Sequence, residues 1–470
     1  MTGWKGADLR RRQAKVETEA PVPGRAAWWA ISVLTLLYAV SLLDRQILSL
    51  LIKPIRADLH ISDFQISILQ GFAFALFYSI FGLPFGAAAD RWSRRWIIFV
   101  GVSIWGVAAC ACGLAHNYPQ MLLARFAMGA GEAALLPAAF SLLADYFPKR
   151  RLALALSIFA AGATIGSGLA LVGGGQLIDH LPKAGASVPL LGRLAAWQIV
   201  FLLTGLPGVA FAWLALTLPK PDLSRHPQAP APRLADLARQ LGGDARFYVG
   251  HFIGFSLISM TGYGFLVWTP TYMVRKFGWS IGTVGFALAV AIAVAGSIGP
   301  ILLGVLVDRL FHKGMKDAHL RVFIVTGILE ALILIAAMAT NSAPVFLVLA
   351  TANLGLCSFT GASAAALQIV TPRPFRGQVS AAYAFCLALL GAGCGPSLVA
   401  AFTDFVYRSD AMVGWSIAST FAVCIPLSAA CLWWAAAPMR RAVARQDGED
   451  APQHAPLGSL VDTPLSEPSA

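Results

Sequence analysis

Charged side chains are scarce in this chain. Asp, Glu, Lys and Arg together make up 12% of its 470 residues, whereas hydrophobic residues make up 57%. The apolar residues occur in runs that are too long for the core helices of a soluble domain, so the composition indicates a polytopic membrane protein. The net charge of +12 does not require a nucleic-acid partner, because basic loops beside anionic membrane lipids account for it.

Cysteine is also limited, to seven residues, and each lies inside an apolar segment where a thiol behaves as a small apolar side chain. Cys110 and Cys112 are two apart on a predicted helix and point to nearly opposite faces, so they cannot bind one metal ion together. We therefore expect no disulfide and no metal site. We also expect no cofactor, and protons as the coupling ion.

An intramembrane hydrolase is disfavoured because no His lies deep in the N-terminal half, so no catalytic residue is assigned.

Twelve apolar segments are long enough to cross a bilayer core of about 30 Å as helices. They are continuous rather than alternating, which excludes a β-barrel wall. The predicted fold is an all-α membrane protein with twelve transmembrane helices in two six-helix bundles. The predicted spans are 28–52, 63–89, 96–115, 120–144, 152–177, 197–217, 246–274, 280–307, 321–340, 344–370, 377–402 and 412–437.

Basic residues predict the orientation of these spans. With the N-terminus placed inside, 26 of the 35 Lys and Arg residues fall in inner segments, so both termini are expected in the cytoplasm. The predicted organisation is an N-terminal cytoplasmic tail (1–27), a first bundle (28–217), a Pro-rich cytoplasmic linker (218–245), a second bundle (246–437) and a disordered cytoplasmic tail (438–470). Within the linker, Leu234 to Leu241 is expected to form an amphipathic surface helix.

A short motif occurs once in each half, in the connection after the second and the eighth spans. Its members are Gly86, Asp90 and Arg91 in the first half, followed by Arg94, and Gly304, Asp308 and Arg309 in the second. The chain therefore resembles the major facilitator superfamily, whose loop between spans two and three has this pattern. The resemblance implies two homologous bundles around a central path and a gate on the cytoplasmic side, latched when the binding site faces out.

Four charged residues are predicted deep inside spans, Asp44 and Arg45 in the first and Arg125 and Glu132 in the fourth. Charges at this depth cost at least a few kcal/mol each and tend to mark substrate or ion pathways. The depths of the four overlap, and Arg125 and Glu132 share a helix face, so they can form a network that rests as two ion pairs.

This network suggests coupling to protons. Alternating access would change the water exposure of Asp44 and Glu132, and with it their protonation, while a freed Arg would bind an anionic headgroup. The structural alternative is that the ion pairs only fix helix register.

The second half contains one acid well inside its spans, Glu330, and otherwise neutral polar groups. We interpret Glu330 and His251 as packing residues. A charged wall that faces a largely apolar one suits an amphiphile better than a sugar. The candidates for lining the cavity are Tyr38, Tyr263, Thr269, Ser358 and Tyr383.

Within the superfamily, the run Leu43-Asp44-Arg45-Gln46 and the segments around Gly82 and Glu132 resemble the spinster family of lysophospholipid and sphingolipid transporters. The resemblance implies proton-linked movement of a lysophospholipid or sphingosine phosphate through Asp44, Arg45, Arg125 and Glu132. We expect a monomer in the inner cell membrane, in contact with membrane lipids. The alternatives are an organic-anion symporter, a multidrug antiporter and a lipid receptor without transport. The multidrug antiporter is disfavoured because Ser167 follows Gly166 in span five.

Overall fold

Twelve long apolar helices dominate the computed structural model, which describes residues 24–182, 185–189, 191–219 and 234–449. The predicted number of spans is confirmed, and most predicted boundaries lie within a few residues of the helix ends. Spans 1 to 12 are Arg25–Leu59, Asp63–Gly86, Arg94–Gly113, Tyr118–Tyr146, Leu154–His180, Ala196–Thr217, Ala245–Phe277, Ile281–His312, Ala318–Ala339, Ala343–Val370, Arg376–Tyr407 and Asp410–Ala444.

Several spans begin at polar capping residues that follow from the sequence. Ser62 and Gln65 form a capping box at the start of span 2. Asn117 caps span 4 and Ser280 caps span 8 through side-chain oxygens that accept backbone amides. Each cap satisfies an amide that the first helical turn leaves without a partner.

Four π-helical turns interrupt the regular helices within the described ranges, and none of them was predicted from the sequence. They are Ile68–Phe72 in span 2, Ala170–Gly174 in span 5, and Leu387–Cys394 and Phe402–Tyr407 in span 11. A two-stranded antiparallel hairpin of Ala186–Val188 and Gly192–Leu194 joins spans 5 and 6. A π turn shifts the helix register by one residue, so it changes which side chains face the neighbouring helix.

Spans 1 to 6 and spans 7 to 12 form two halves that meet at one end. The buried hydrophobic cluster at that end draws residues from both halves, for example Leu51 and Met273. The clusters at the other end each draw on one half alone. We call the shared end the closed end and the other, which holds Gly24 and Glu449, the open end. The open end is the one that the basic residues predict to be cytoplasmic.

The halves approach to backbone contact at crossings where a glycine of one half lies against the other half. A Cβ atom on Gly71 of span 2 would lie 2.7 Å from the carbonyl oxygens of Ala392 and Gly393 in span 11. Gly285 of span 8 lies in the same way against the Leu171 carbonyl of span 5. Small residues at these two crossings allow the halves to pack at backbone distance.

The segments that were predicted to be cytoplasmic differ in part from their prediction. The last helix continues beyond Pro438 to Glu449, where the disordered tail was predicted to have begun. The amphipathic helix of the linker is present as Leu234–Gly243, with Leu237 and Leu241 against the core of the second half. Predicted segments that fall on 1–23, 220–233 and 450–470 lie outside the described residues.

Candidate functional site

Asp44, Arg45, Arg125 and Glu132, here called the charged centre, lie together in the first half. Asp44, Arg125 and Glu132 are at most 1% exposed, whereas 25% of the Arg45 side chain is accessible. Neighbouring residues on a helix point about 100° apart, which explains why Arg45 reaches the cavity and Asp44 does not. The centre therefore has one cation open to the space between the halves.

Arg45 is held from two sides. Its guanidinium forms an ion pair with the buried Glu132 carboxylate of span 4. The guanidinium carbon also lies 4.3 Å from the ring centroid of Phe74 and 5.5 Å from that of Tyr78, both on span 2. A desolvated cation gains from both kinds of contact, so the pair and the rings fix the orientation of the Arg45 head.

Asp44 faces the interior of the first bundle rather than the cavity. Its polar neighbours there are Trp105 of span 3 and Thr204 of span 6. Among the described residues, neither carboxyl oxygen of Asp44 has a hydrogen-bond partner of normal geometry. The four charges were expected to rest as two ion pairs. Among them the structure forms one, between Arg45 and Glu132, while Asp44 is not bonded to Arg125, although the two charges are close enough to interact.

Arg125 is bound to backbone and sulfur instead of a carboxylate. Its Nε donates to the Leu69 carbonyl over 2.9 Å, and its Nη1 lies 3.3 Å from the Met128 sulfur. Leu69 lies in the π-helical turn of span 2, where the usual i to i−4 hydrogen bonds are displaced. Arg125 thus ties span 4 to the irregular turn of span 2.

Polar groups of the second half are largely bonded within their own bundle. The hydroxyls of Thr261 and Ser363 donate to carbonyls one turn back, and the Asn353 amide donates to the Glu330 carbonyl over 3.1 Å. Glu330 is 1% exposed, and within the described ranges its carboxyl oxygens lack hydrogen-bond partners. These four groups are buried, so they are not displayed to the space between the halves. No group of three metal-ligating side chains occurs in the described part of the chain.

Two of the five cavity-lining candidates lie near Arg45. Tyr263 of span 7 is 39% exposed and close enough to interact electrostatically with Arg45 across the two halves. Tyr38 of span 1 is half-buried, interacts with the same guanidinium, and stacks on Phe159 at 4.8 Å. These two phenols extend the surface around the accessible cation.

The other three candidates also belong to the second half, and two of them are buried there. Thr269 is 1% exposed and its hydroxyl is bonded to backbone, so it does not line the cavity. Tyr383 is 6% exposed and packs on His251 at 4.8 Å between ring centroids. Ser358 is half-buried, and a Cβ on Gly299 would lie 2.7 Å from its hydroxyl oxygen. Their polarity in the sequence did not reveal which helix face they occupy.

The first copy of the gate motif lies at the open end. Arg94 is buried and forms an ion pair with Asp145 at the end of span 4, which keeps this contact inside the first half. The side chains of Asp90 and Arg91 lie outside the described residues. Gly86 has open space where a Cβ would be placed.

The second copy is equally open. Gly304 has no neighbour within 4 Å of a Cβ position, and Asp308 and Arg309 are exposed. The glycines of the motif therefore pack against nothing in this state, in which the opposite end is closed. A latch at the open end in the alternate state stays a prediction.

The closed end contains an ion cluster that was not predicted from the sequence. The Asp63 carboxylate of span 2 accepts hydrogen bonds from Nη1 and Nη2 of Arg275 in span 7, at 2.8 and 3.0 Å. Arg56 of span 1 lies 3.1 Å from Asp63 and also pairs with Asp410 at the start of span 12. The cluster joins the two halves. In the sequence, its members are visible only as charged residues beside the predicted outer ends of spans 1, 2, 7 and 12.

Two carboxylates also cross between the halves at the closed end. Asp404 of span 11 accepts the Phe64 amide at the start of span 2 over 2.7 Å, and Asp179 of span 5 accepts the Gly282 amide at the start of span 8 over 2.9 Å. Phe64 and Gly282 are 218 residues apart, which is also the separation of Gly86 and Gly304 in the repeated motif. We call these two contacts the clasps, since each places a carboxylate at a helix N-terminus of the other half.

Comparison with known proteins agrees with this architecture. A bacterial homologue of the human lysosomal transporter Spinster, solved in an inward-facing and unoccupied conformation, shares the fold with a TM-score of 0.71 at 24% identity, over 89% of this chain and 97% of that one. An MFS-type efflux pump of Mycolicibacterium smegmatis is 27% identical over 89% of this chain and 94% of its own length. A probable L-galactonate transporter of Escherichia coli is 27% identical over 69% of this chain and 71% of its own length.

The family model of the Major Facilitator Superfamily matches residues 34–395, which includes all four members of the charged centre. The match spans both halves and the linker between them. With its twelve apolar spans, the chain is a multi-pass membrane transporter rather than an enzyme. This chain belongs to the Major Facilitator Superfamily.

Proposed function

We propose that the protein is a proton-coupled transporter of an anionic amphiphile of the lysophospholipid type, working by alternating access. The observation that carries this proposal is the position of Arg45. It is the accessible cation of the charged centre and is paired with a buried carboxylate. In the half that it faces, the side chains of Thr261, Ser363 and Asn353 are buried and bonded internally. An anionic headgroup would bind at Arg45 while an apolar tail lies along the opposite wall.

Coupling follows from competition for the Arg45 guanidinium. A phosphate that binds Arg45 bidentately replaces Glu132 as its partner. The Glu132 carboxylate is then buried without a counter-charge, which is expensive in a desolvated site, so it takes up a proton. Release of the headgroup restores the ion pair and expels the proton, so one protonation step accompanies each substrate step.

The names of the relatives favour a second candidate, a small sugar acid, because one of them is a probable L-galactonate transporter. A carboxylate would also bind Arg45. A polyhydroxylated substrate, however, needs several hydrogen-bonding groups on the walls, and Thr261, Ser363 and Asn353 are already bonded within the second half. We therefore favour the amphiphile and keep the sugar acid as the outcome to be excluded.

Uptake of a labelled lysophosphatidic acid into proteoliposomes tests this choice. We expect saturable flux that excess unlabelled lysolipid abolishes and that L-galactonate or a lipophilic dye cation at the same concentration leaves within about twofold. Saturable uptake of L-galactonate with no lysolipid flux would establish the sugar-acid alternative instead. Lysolipid binding without flux would identify a receptor.

A further inference from the structure

A cavity of about 670 Å³ lies at the open end, away from the space between the halves. It is formed by the end of the helix Leu234–Gly243, the start of span 7 and the end of span 12. Two guanidiniums, those of Arg246 and Arg441, and one carboxylate, that of Asp244, line it. The remaining lining residues are Gly, Ala and Pro, so the cavity has a net positive charge.

Arg246 is oriented by a tryptophan. Its Nε donates to the Trp434 carbonyl over 2.9 Å, and its guanidinium carbon lies 5.6 Å from the Trp434 ring centroid. Trp434 is 44% exposed at this end of span 12. In the part of the chain that the structure describes, this is the single side-chain hydrogen bond of Arg246, and Arg441 has none. Two exposed arginines thus keep most of their donors available.

A second arginine and tryptophan pair on the other side of span 12 provides an internal comparison. Arg321 lies over Trp433 at 5.4 Å, but it also pairs with Asp317 at 2.9 Å. Arg440, the neighbour of Arg441, pairs with the same Asp317. Both arginines on that side are bonded to a carboxylate, whereas in the described part of the chain neither Arg246 nor Arg441 forms an ion pair.

We propose that this cavity binds the phosphate headgroup of an anionic phospholipid of the surrounding membrane. Tryptophan rings mark the level of the headgroups, and basic pockets between helix ends on the cytoplasmic side recognise lipid phosphates. Guanidiniums suit phosphate because they donate in a planar fork. Gly242 and Gly243 leave open space where a Cβ would be placed, so backbone as well as side chains is accessible to the headgroup.

The bound lipid would connect three elements. Leu237 and Leu241 already anchor the amphipathic helix to the core of the second half. A phosphate held by Arg246 and Arg441 adds a contact between that helix, span 7 and span 12. The site is separate from Arg45, so it does not depend on which substrate is transported.

Lipid titration of the purified full chain in detergent tests the proposal, with bound lipid counted by native mass spectrometry and the thermal unfolding midpoint measured in parallel. Phosphatidylglycerol is expected to bind and raise the midpoint, and phosphatidylethanolamine to do neither. The double variant Arg246→Ala/Arg441→Ala is expected to lose about tenfold to thirtyfold in phosphatidylglycerol affinity. Arg246→Lys/Arg441→Lys keeps both charges but loses the forked donors, so it is expected to lose less affinity than the double alanine variant.

Arg321→Ala is the matched control, because it removes an arginine at the same level that Asp317 already compensates. An equal loss of affinity in this control, or unchanged binding in the double alanine variant, would overturn the proposal. Equal binding of phosphatidylethanolamine would exclude a charge-selective headgroup site. Glycerol 3-phosphate that binds as tightly as the phospholipid would show that the ligand is a soluble phosphate.

Discussion

Arg45 is the member of the charged centre whose side chain is accessible, and its setting combines an ion pair with two aromatic rings. Both contacts depend on the planar guanidinium rather than on charge alone. Under the proposed function, Arg45 therefore makes the first contact with an anionic headgroup. Asp44, its neighbour in the chain, has a different environment among Trp105 and Thr204.

Substitutions of Arg45 distinguish geometry from charge. Arg45→Lys keeps the positive charge but loses the forked donors and much of the ring contact, so we expect about a tenfold loss of lysolipid affinity. Arg45→Gln removes the charge and leaves Glu132 without its partner, so we expect a loss of about a hundredfold or more. Equilibrium binding of a fluorescent lysophosphatidic acid measures both. Equal affinity in the lysine variant and the wild type would show that a point charge is sufficient.

The four residues of the charged centre could be predicted from the sequence, because charged side chains inside long apolar spans almost always face the protein interior rather than lipid. The sequence did not predict their pairing. Arg45 and Glu132 pair, whereas Asp44 turns into the bundle and Arg125 binds the Leu69 carbonyl. Pairing depends on the rotation of each helix about its axis, and neighbouring residues such as Asp44 and Arg45 do not specify that rotation.

At the scale of the helical elements, irregular turns occur where the two halves meet. The π turn Ile68–Phe72 contains Gly71, which lies against span 11, and the π turn Ala170–Gly174 contains Leu171, which lies against span 8. The sequence predicted the spans from their apolar length but not these turns. A π turn changes the helix register by one residue without shortening the apolar run, so apolar length does not reveal it.

Arg125 is expected to stabilise the π turn of span 2. Arg125→Leu removes the donor to Leu69, and a buried carbonyl that loses its partner costs about 1–3 kcal/mol. We expect the thermal unfolding midpoint in detergent to fall by several degrees. Glu330→Gln is the control, because it replaces a buried group with no hydrogen-bond partner among the described residues. A midpoint for Arg125→Leu that equals the control would argue against this bracing role.

Gly71 tests the crossing of spans 2 and 11. A methyl group there would lie 2.7 Å from two backbone oxygens of span 11, so Gly71→Ala must separate the helices. We expect a lower unfolding midpoint than for Gly82→Ala, which lies on the same span with open space at its Cβ position. The two variants share the same change in helix propensity. If they unfold at the same temperature, the close crossing contributes nothing to stability.

At the scale of the whole molecule, the state of the protein is set by contacts at one end. The closed end has a hydrophobic cluster from both halves, the ion cluster around Asp63 and the two clasps. The internal repeat explains why the clasps occur in related positions, since equivalent spans of the two halves exchange the same kind of contact. Opening this end must break both clasps.

Removing the clasps is expected to favour opening of the closed end. A carboxylate at a helix N-terminus contributes about 0.3–1 kcal/mol and up to about 2 when partly buried. Asp179→Asn and Asp404→Asn should therefore each shift the population, and the double variant should shift it by about the sum because the sites are independent. Distance measurements between spin labels at Ser187 and Asn341, one exposed residue on each half, report the shift in a background without native cysteines.

Asp58→Asn provides the control for that experiment. Asp58 is a carboxylate of the closed end, but it accepts the Trp197 indole within the first half over 2.9 Å. It should leave the distance distribution unchanged. A similar shift in this control would mean that the labels report charge at this end rather than separation of the halves.

The central claim is that Glu132 exchanges its pairing with Arg45 for a proton when substrate binds. Accumulation of labelled lysophosphatidic acid in proteoliposomes under a pH gradient tests it most directly, compared with exchange at equal pH. We predict that Glu132→Gln loses gradient-driven accumulation at least tenfold while exchange stays within about threefold, and that Glu330→Gln retains both. Accumulation by Glu132→Gln that still follows the pH gradient as in the wild type would contradict the account.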